Sequence, residues 1–311
     1  MNGESYEILV LGAACLDMKV RAKTLAIEPG HSNPGQIRWS WGGVARNIAE
    51  NLTRLGAHTR LITAVGDDEA GRELLNQAHR IGIDTEGSLV VTGQETAAYV
   101  GVYHVDERLW VAFDDMAIIE ALTPGYLYRH RRFFKQADMV CADANLSVRA
   151  LETLFRLAQE YDVPIVVDPT TALLASKLRP YLAQITAITP NRQEAEALLQ
   201  EPLPDDEALL YGARSLVKMG VELAIVTLGA AGLAYATSEE SGRLPTFEAA
   251  IVDPIGAGDA LTAALAYGLM EELAPTEAVR LGLAAAAQTI ICQETVCPTL
   301  NLETLYERLV V

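Results

Sequence analysis

The residues best suited to chemistry lie near the C-terminus, in the segment Gly256-Ala257-Gly258-Asp259. An apolar stretch follows over 260–269, so the glycines predict a turn that leads into the first turn of a helix. Backbone N–H groups there lack partners and carry partial positive charge, which suits an anion such as phosphate. A carboxylate repels phosphate, so Asp259 makes chemical sense as a base that takes a proton from a nucleophile beside the phosphate. In isolation, a helix cap is the simpler explanation of this aspartate.

A second candidate pair is Asn191 and Glu194, which follow an apolar run over 185–189. The two residues are three positions apart, about one helical turn if a helix begins near Pro190, so both can face one site. Taken alone, the pair is better explained as a helix cap beside a solvated glutamate.

The composition narrows the class of protein. The chain has 311 residues, half of them apolar, and no apolar run reaches the roughly 20 residues that cross a bilayer. The first seven residues lack the features of a signal peptide. The four cysteines include no C-x-x-C pair, which predicts a reduced cytoplasmic protein with neither a disulfide framework nor a zinc site. The net charge of −17 argues against a nucleic-acid surface, but not against an anion held by backbone amides.

Short apolar runs alternate with helical periods along most of the chain. The predicted strands are 8–12, 60–66, 139–143, 164–168, 185–189 and 223–227, and the predicted helices are 44–55, 70–81, 147–160, 191–199, 206–219, 260–271 and 276–291. This alternation predicts an α/β fold with a mostly parallel sheet covered on both faces. Ligands of such sheets bind at the carboxyl ends of strands, where Asp143, Asp168, Asn191 and Gly229 fall.

Two half-polar stretches, 16–41 and 95–115, interrupt this alternation. They predict a small antiparallel flap that projects from the main domain and could serve as a lid. A surface hairpin without function is the alternative. Trp39 and Trp41 lie two positions apart on this flap, where they could stack on a base or pack in a dimer clasp.

Together the motifs resemble the ribokinase-like (PfkB) family of sugar and nucleoside kinases. Its two signatures correspond to 41–56 and 253–259, with further family segments at 66–71, 189–194 and 226–229. The resemblance spans the whole chain and implies a three-layer α/β/α sandwich with a mostly parallel central sheet. It also implies a single kinase domain over 1–311 with a small antiparallel β lid, the cofactors ATP and Mg²⁺, and a homodimer formed through the lid.

The resemblance also implies roles for individual residues. Asp259 would be the general base for a primary 5′-hydroxyl, and the amides of Gly256, Ala257 and Gly258 would form an anion hole for the γ-phosphate. Asn191 and Glu194 would hold Mg²⁺ through its waters, while Thr227 and Gly229 would lie beside the nucleotide. The residues implied to contact the sugar are Asp17, Gly42, Gly43, Asn47 and Asp143.

This chain departs from the family pattern at several positions. Cys15 replaces a frequent asparagine, Ala45 a frequent glycine and Pro254 the usual threonine. In relatives, the residue at Asp253 helps to bind a monovalent cation. The second cation loop, around 290–298, has no glycine here and carries Glu294, so the resemblance leaves dependence on K⁺ open.

Three further segments resemble the family members that phosphorylate pseudouridine: 32–35, 143–147 and 294–298. Polar residues near the flap, such as Asn33 or Ser40, could then recognise the base. A kinase for a free sugar or another nucleoside, and an inactive nucleoside-binding regulator, are the alternatives. The joint presence of Asp259, its glycine turn and the Asn191–Glu194 pair argues against the regulator, because a binding protein needs no base.

Overall fold

The computed structural model describes residues 6–24, 27–106 and 108–310 of the chain. The strands in these ranges are β1 (Glu7–Leu11), β2 (Cys15–Ala22), β3 (Gly35–Gly42), β4 (His58–Ile62), β5 (Ala64–Gly66), β6 (Leu89–Val91), β7 (Ala98–Tyr103), β8 (Leu109–Asp115), β9 (Met139–Asp143), β10 (Ile165–Asp168), β11 (Ala187–Ile188), β12 (Leu223–Thr227), β13 (Leu233–Ala236) and β14 (Ser241–Leu244).

The described residues form eleven α-helices, and each helix that the sequence predicts is among them. They are α1 (Val44–Arg54), α2 (Glu69–Arg80), α3 (Pro124–Arg129), α4 (Arg131–Gln136), α5 (Val148–Tyr161), α6 (Ala172–Ala175), α7 (Arg192–Leu199), α8 (Asp206–Lys218), α9 (Ala257–Met270), α10 (Pro275–Thr289) and α11 (Leu302–Val310). Helices α3, α4, α6 and α11 were not predicted. Among the described residues, no helix has the length and apolar character needed to cross a membrane.

The largest sheet has eight strands in the order β14-β13-β12-β11-β10-β9-β1-β4. The strands from β12 to β4 run parallel, and β13 and β14 add an antiparallel edge. Alternate residues of each strand enter opposite cores. Ile8 and Val10 of β1 pack in the core that holds α9, whereas Leu9 and Leu11 pack in the core that holds α5. The predicted mostly parallel sheet between two helical layers is confirmed.

A second sheet has four strands in the order β3-β2-β7-β8. Its two hairpins are antiparallel, but β2 and β7 pair in parallel, so the predicted wholly antiparallel flap is wrong in this detail. The reason is that both strands run outward from the core: Cys15 begins β2 and is buried, and the buried Ala97 directly precedes β7.

The predicted strand over 60–66 is two strands that belong to different sheets. β4 joins the main sheet, whereas β5 pairs with β6 in a separate two-stranded sheet. The change occurs at Thr63, whose carbonyl accepts a hydrogen bond from the N–H of Leu89 at 2.8 Å. The residues on both sides of Thr63, Leu61-Ile62 and Ala64-Val65, are apolar and buried, so hydrophobic pattern alone does not separate the two strands.

The cysteines correct another expectation from the sequence. Cys292 and Cys297 form a disulfide, whereas the sequence predicted a reduced protein without a disulfide framework. The loop after α10 turns back and brings the two Cα atoms to 5.5 Å, a separation that a disulfide spans. Cys15 and Cys141 are buried free thiols.

Candidate active site

The glycine turn before α9 has the predicted form. Gly256 is the N-cap, with φ of +85°, and a Cβ at this position would collide with the carbonyl oxygen of Thr295. Only glycine meets both conditions without strain. No side chain caps this helix. Asp259 therefore lies in the first turn without a capping role, which removes the simpler explanation of its presence.

The first turn of α9 presents free backbone donors. The N–H groups of Gly256, Gly258 and Asp259 have no partner among the residues that the structure describes, while that of Ala257 makes a long bond, 3.4 Å, to the carbonyl of Pro254. A Cβ added to Gly258 would meet no atom within 4 Å. Packing thus does not require glycine at 258, and its missing side chain leaves space beside free amides.

Asp259 is held from the opposite side by α1. Its Oδ2 accepts a hydrogen bond from Nδ2 of Asn47 at 2.7 Å. Loss of hydration raises the pKa of Asp259 to about 7, helped by the charges of Asp17 and Asp143 and opposed by the Asn47 bond and by Arg46. A carboxylate with this pKa suits a general base near neutral pH.

Asp17 lies on β2, buried beside the first signature. Its Oδ1 accepts a hydrogen bond from the thiol of Cys15 at 3.2 Å, and a Cβ on Gly42 would collide with its carboxylate. Burial raises the pKa of Asp17. Gly42 is therefore needed to admit Asp17, and Cys15 bonds to this carboxylate at the position where an asparagine was expected.

Asp143 has surroundings that differ from those expected of a sugar ligand. Its fully buried carboxylate accepts backbone N–H groups of Ala13 at 2.8 Å, Ala45 at 3.0 Å and Asn145 at 2.8 Å. It thereby caps α1 from a neighbouring strand, because the N-cap Gly43, with φ of +93°, has no side chain to do so. Substrate binding by Asp143 stays a prediction, and these contacts favour an anchoring role.

Asn191 and Glu194 form a capping box at the start of α7. Each carboxylate oxygen of Glu194 accepts one bond from Asn191, from its backbone N at 2.9 Å and from its Nδ2 at 2.6 Å. Burial raises the pKa of Glu194, against these bonds. A carboxylate has about four acceptor sites, so two remain for water molecules.

This donor set fits a magnesium ion held through its waters. Among the described residues, no three acidic, histidine or cysteine side chains converge closely enough to ligate a metal directly. Mg²⁺ retains several waters in most protein sites. The capping box shows that Asn191 serves as a helix cap, the alternative explanation of this pair, and water-mediated binding of Mg²⁺ stays a prediction.

Asp168 belongs to the same acidic region, although no role was predicted for it. It ends β10, and its carboxylate accepts the backbone N–H of Thr170 at 2.8 Å and a long bond from the Thr262 hydroxyl at 3.4 Å. Burial, and then the charges of Asp259 and Glu194, hold its pKa well above the usual range. Its position at a strand end was visible in the sequence, but its neighbours come from α7 and α9.

A cleft of about 630 Å³ lies on one side of the glycine turn. The predicted nucleotide residues Asn191, Thr227 and Gly229 line it, as do Ala257 and Gly258. Much of the remaining wall is apolar, contributed by Phe247, Ile251, Leu261, Leu283, Ala286, Ala287 and Ile290. The cleft can therefore place a largely apolar ring against the wall and phosphates against the free amides.

A smaller cleft, about 380 Å³, lies along the second sheet. Most of the residues that line it are polar or charged: Lys19, Arg21, Gln36, Arg38, Ser40, Asp253, Gln293 and Glu294. Trp39, Tyr103, Val252 and Pro254 add apolar surface. Pro254 lines both clefts, so the turn that begins at 254 forms the partition between them.

Asp253 is engaged within this smaller cleft. Its Oδ2 pairs with Nζ of Lys19 at 2.7 Å, and its Oδ1 accepts the N–H of Ile255 at 3.0 Å. An ammonium group thus already balances the carboxylate that was predicted to bind a monovalent cation, so this residue does not fit that cation in the present arrangement. Lys19 was not predicted as a site residue.

The two residues predicted to recognise the base, Asn33 and Ser40, differ in their surroundings. Asn33 is used within its own loop, where its amide bonds to the backbone of Glu28 and His31. Ser40 lies on β3 and lines the smaller cleft. Of the two, Ser40 is therefore placed to meet a ligand.

Comparison with known proteins identifies the family of this chain. The model of the pfkB family of carbohydrate kinases matches residues 6–300. The chain belongs to this family. It is a phosphotransferase that acts on an alcohol group. The pseudouridine kinase of Escherichia coli (strain K12) is 33% identical over 303 residues, which cover 97% of this chain and 96% of that protein.

Two solved structures support the same fold. The ribokinase of Arabidopsis thaliana, complexed with ribose and ATP, superposes with a TM-score of 0.86 at 21% identity and covers 99% of this chain and 100% of its own. An Escherichia coli protein assigned as ribokinase II, in complex with ATP and Mg²⁺, has a TM-score of 0.82 at 18% identity, with 99% of each chain covered. The ribokinase-like fold is confirmed, and both neighbours bind ATP.

Proposed function

We propose that this kinase transfers the γ-phosphate of ATP to the 5′-hydroxyl of a ribosyl nucleoside, with pseudouridine as the acceptor. The observation that carries the proposal is Asp259, a carboxylate with a raised pKa in the first turn of α9, directly after the free amides. Pro254, where this turn begins, lines two clefts of different character. The similarity to the Escherichia coli pseudouridine kinase over nearly the whole chain supports this acceptor.

The residues of the turn would divide the reaction between them. Asp259 takes the proton of the 5′-hydroxyl as the oxygen attacks phosphorus, and Asn47 holds the carboxylate in place. The free N–H groups of Gly256 and Gly258 stabilise negative charge on the transferring phosphoryl group. Asp17 accepts hydrogen bonds from sugar hydroxyls.

ATP would occupy the larger cleft. Its base lies against the apolar wall, and its phosphates reach the start of α9, where the helix dipole favours negative charge. Asn191 and Glu194 would hold Mg²⁺ through its waters, and the ion would neutralise phosphate charge. Dependence on a monovalent cation is not part of this proposal, because Lys19 already pairs with Asp253.

The second sheet would act as a lid over the acceptor within a single kinase domain. Its inner face carries Asp17, Lys19 and Arg21 at alternate positions of β2, and the last two of these line the smaller cleft. Closing this sheet would exclude water from the phosphate in transfer and limit hydrolysis.

We also propose that two copies associate through the outer face of this sheet in a cytoplasmic homodimer. The register places Ile37 beside Val20, and Trp39 beside Met18, at positions that alternate with those of Lys19 and Arg38. Trp39 also borders the smaller cleft. Ile37, Trp39 and Phe113 are more than half exposed. An apolar sheet face of this kind is typical of an interaction surface.

The acceptor is tested by a single screen. Purified protein with ATP and Mg²⁺ is assayed against pseudouridine, uridine, adenosine, ribose and fructose, and kcat/KM is compared. We expect the highest value for pseudouridine, which offers an additional ring N–H that a polar site can recognise. A preference for ribose or fructose would identify a sugar kinase of the same family, and a preference for uridine or adenosine would retain a nucleoside kinase with another base.

A further inference from the structure

Arg46 is a buried cation next to the proposed base, and nearly all its donors are used. Nη1 donates to the carbonyl of Trp41 at 3.2 Å and to Oδ1 of Asn47 at 3.0 Å. Nη2 donates to Gln77 at 2.9 Å and to Glu50 through a short contact. Each terminal nitrogen therefore has two acceptors, which fixes the plane of the guanidinium group.

This arrangement determines which end of the Asn47 amide faces the catalytic turn. The amide oxygen accepts from Arg46, so its NH₂ group points the other way and donates to Asp259 at 2.7 Å. In the opposite orientation, the amide oxygen would face the carboxylate and would favour its protonated form. A guanidinium group cannot accept a hydrogen bond from the reversed amide, so Arg46 excludes that orientation.

We propose that Arg46 is a positioning residue that holds the Asn47 amide with its NH₂ group toward Asp259 and so keeps this carboxylate ready to accept a proton. The inference rests on the proposed function only in treating Asp259 as the base. Arg46 makes no hydrogen bond to Asp259 itself, so it acts through the orientation of Asn47, and its positive charge adds to the effect.

The charges around Asp259 explain why its ionised form needs a stabilising arrangement of this kind. Asp17 on β2, Asp143 on β9 and Asp168 on β10 all interact with Asp259 through their charges. These neighbours favour the protonated form, which cannot act as a base. Arg46 on α1 is the cation that opposes them.

The arrangement of Arg46 is poorly explained by stability alone. Its Nε–H is buried without a partner among the described residues, which costs stability. Buried ion pairs such as Arg46–Glu50 often contribute no more than apolar residues of similar size. A cation retained under these conditions points to a role in the neighbouring chemistry.

Arg46→Met and Arg54→Met make a matched pair for the test. Arg54 also pairs with Glu50, at 2.7 Å, but it makes no hydrogen bond to Asn47. The two readouts are the pH dependence of kcat/KM with the best acceptor, and carboxyl ¹³C NMR titration of Asp259 in the free protein. In Arg46→Met we expect both midpoints to rise by about one pH unit, typical for the loss of a hydrogen bond to a charged group, with activity recovering at high pH. In Arg54→Met both should remain at the wild-type value.

The other possible outcomes of the Arg46→Met experiment can be interpreted as follows. Equal loss of activity at every pH, with wild-type midpoints, would overturn the inference and leave Arg46 a structural residue. If Arg46→Met does not fold, the double variant Arg46→Met/Glu50→Gln removes the buried carboxylate together with its partner and keeps a hydrogen-bond acceptor for the partly exposed Arg54. An unchanged midpoint in that double variant overturns the inference equally. The NMR titration needs no substrate, so failure of the wild-type protein to phosphorylate pseudouridine would reject the proposed acceptor without affecting this result.

Discussion

The two clefts that meet at Pro254 differ in the way they are built. The larger cleft has backbone donors at one end and an apolar wall contributed by α9, α10 and the 246–251 segment. The smaller cleft is lined mainly by charged and polar side chains of the second sheet and of the 293–294 loop. The larger cleft can therefore bind a ligand through the shape and the phosphates of that ligand. The smaller cleft can distinguish the polar groups of an acceptor.

The difference between the two clefts indicates where substitutions are tolerated. The turn over 254–258 serves both clefts, and Gly256 within it is fixed by its positive φ and by the carbonyl of Thr295. In the proposed mechanism, specificity for the acceptor depends on side chains, which can change without altering this backbone. Transfer of phosphate would depend on the backbone amides themselves, so the turn over 254–258 should be the least tolerant part of the site.

The largest expected effect is that of Asp259→Asn, which removes the proposed base from the partition. General-base catalysis contributes about 10²–10⁴-fold, so we expect kcat to fall by that order while ATP and acceptor still bind. Glu277→Gln is the matched control, because Glu277 holds the same third position in the adjacent helix α10. Steady-state kinetics and calorimetric binding measure both properties. Retention of more than roughly a tenth of kcat would show that another group is the base.

The same variant has an effect on stability that depends on pH. The pKa of Asp259 is raised from 3.8 to about 7 in the folded protein, so between these two values the folded state binds more protons than the unfolded state, and stability falls as pH rises through this window. Asp259→Asn removes the titrating carboxyl group and therefore this fall in stability. The Tm difference between variant and wild type should therefore be more positive at pH 8 than at pH 5, as measured by calorimetry.

A smaller effect is expected from Gly258→Ala, which places a methyl group beside the free amides. No atom lies within 4 Å of this Cβ, so folding should be unaffected, while kcat should fall roughly 10–10³-fold if close approach of phosphate is blocked. Gly125→Ala is the matched control: Gly125 is also the second residue of its helix, α3, and also has open space at Cβ. Equal activity of both variants would remove the anion hole from the mechanism.

Ala286→Glu tests the larger cleft separately from the smaller one. The new carboxylate would lie in the apolar wall and would be desolvated by a bound base, so we expect KM for ATP to rise about tenfold, equivalent to about 1.4 kcal/mol. KM for the acceptor should stay unchanged. Ala197→Glu, at another partly buried alanine, lies outside both clefts and is the control. A rise in the acceptor KM instead would assign this cleft to the wrong ligand.

The smallest effect is expected from Lys19→Met in the smaller cleft. The side chains of Lys19 and Asp253 are only 15% and 19% exposed, so the attraction between their charges is largely offset by their loss of hydration. We therefore expect kcat/KM for the acceptor to change only a few-fold. Arg38→Met is the control, since Arg38 is the cross-strand neighbour of Lys19 and bonds to the neutral Gln293. If activity of Lys19→Met, but not of Arg38→Met, becomes dependent on K⁺, the ammonium group had replaced a cation.

The parts of the site that the sequence could predict are local in the chain. The turn at Gly256 and the Asn191–Glu194 box depend on residues within a few positions, and their form follows from backbone geometry and capping. The alternation of buried strands and helices likewise predicted the main sheet. Its strand order, in contrast, depends on pairing between distant segments, which hydrophobic pattern does not encode.

The parts that could not be predicted depend on contacts between distant segments. Asp143 bonds to Ala13 and Ala45, which lie 130 and 98 positions away. Lys19 meets Asp253 across 234 positions. An aspartate at a strand end can bind a sugar or cap a neighbouring helix, and only the packed structure distinguishes the two roles.

The apolar outer face of the second sheet has a consequence for behaviour in solution. Each chain carries a net charge of −17, so two copies that approach through this face repel one another over several ångströms. Added salt shortens the range of this repulsion, to about 8–10 Å at physiological ionic strength and about 3 Å at 1 M, and leaves apolar attraction in place. Self-association should therefore strengthen as salt rises, which analytical ultracentrifugation across a NaCl series would measure. Trp39→Lys should abolish that trend by placing a charge on the exposed face.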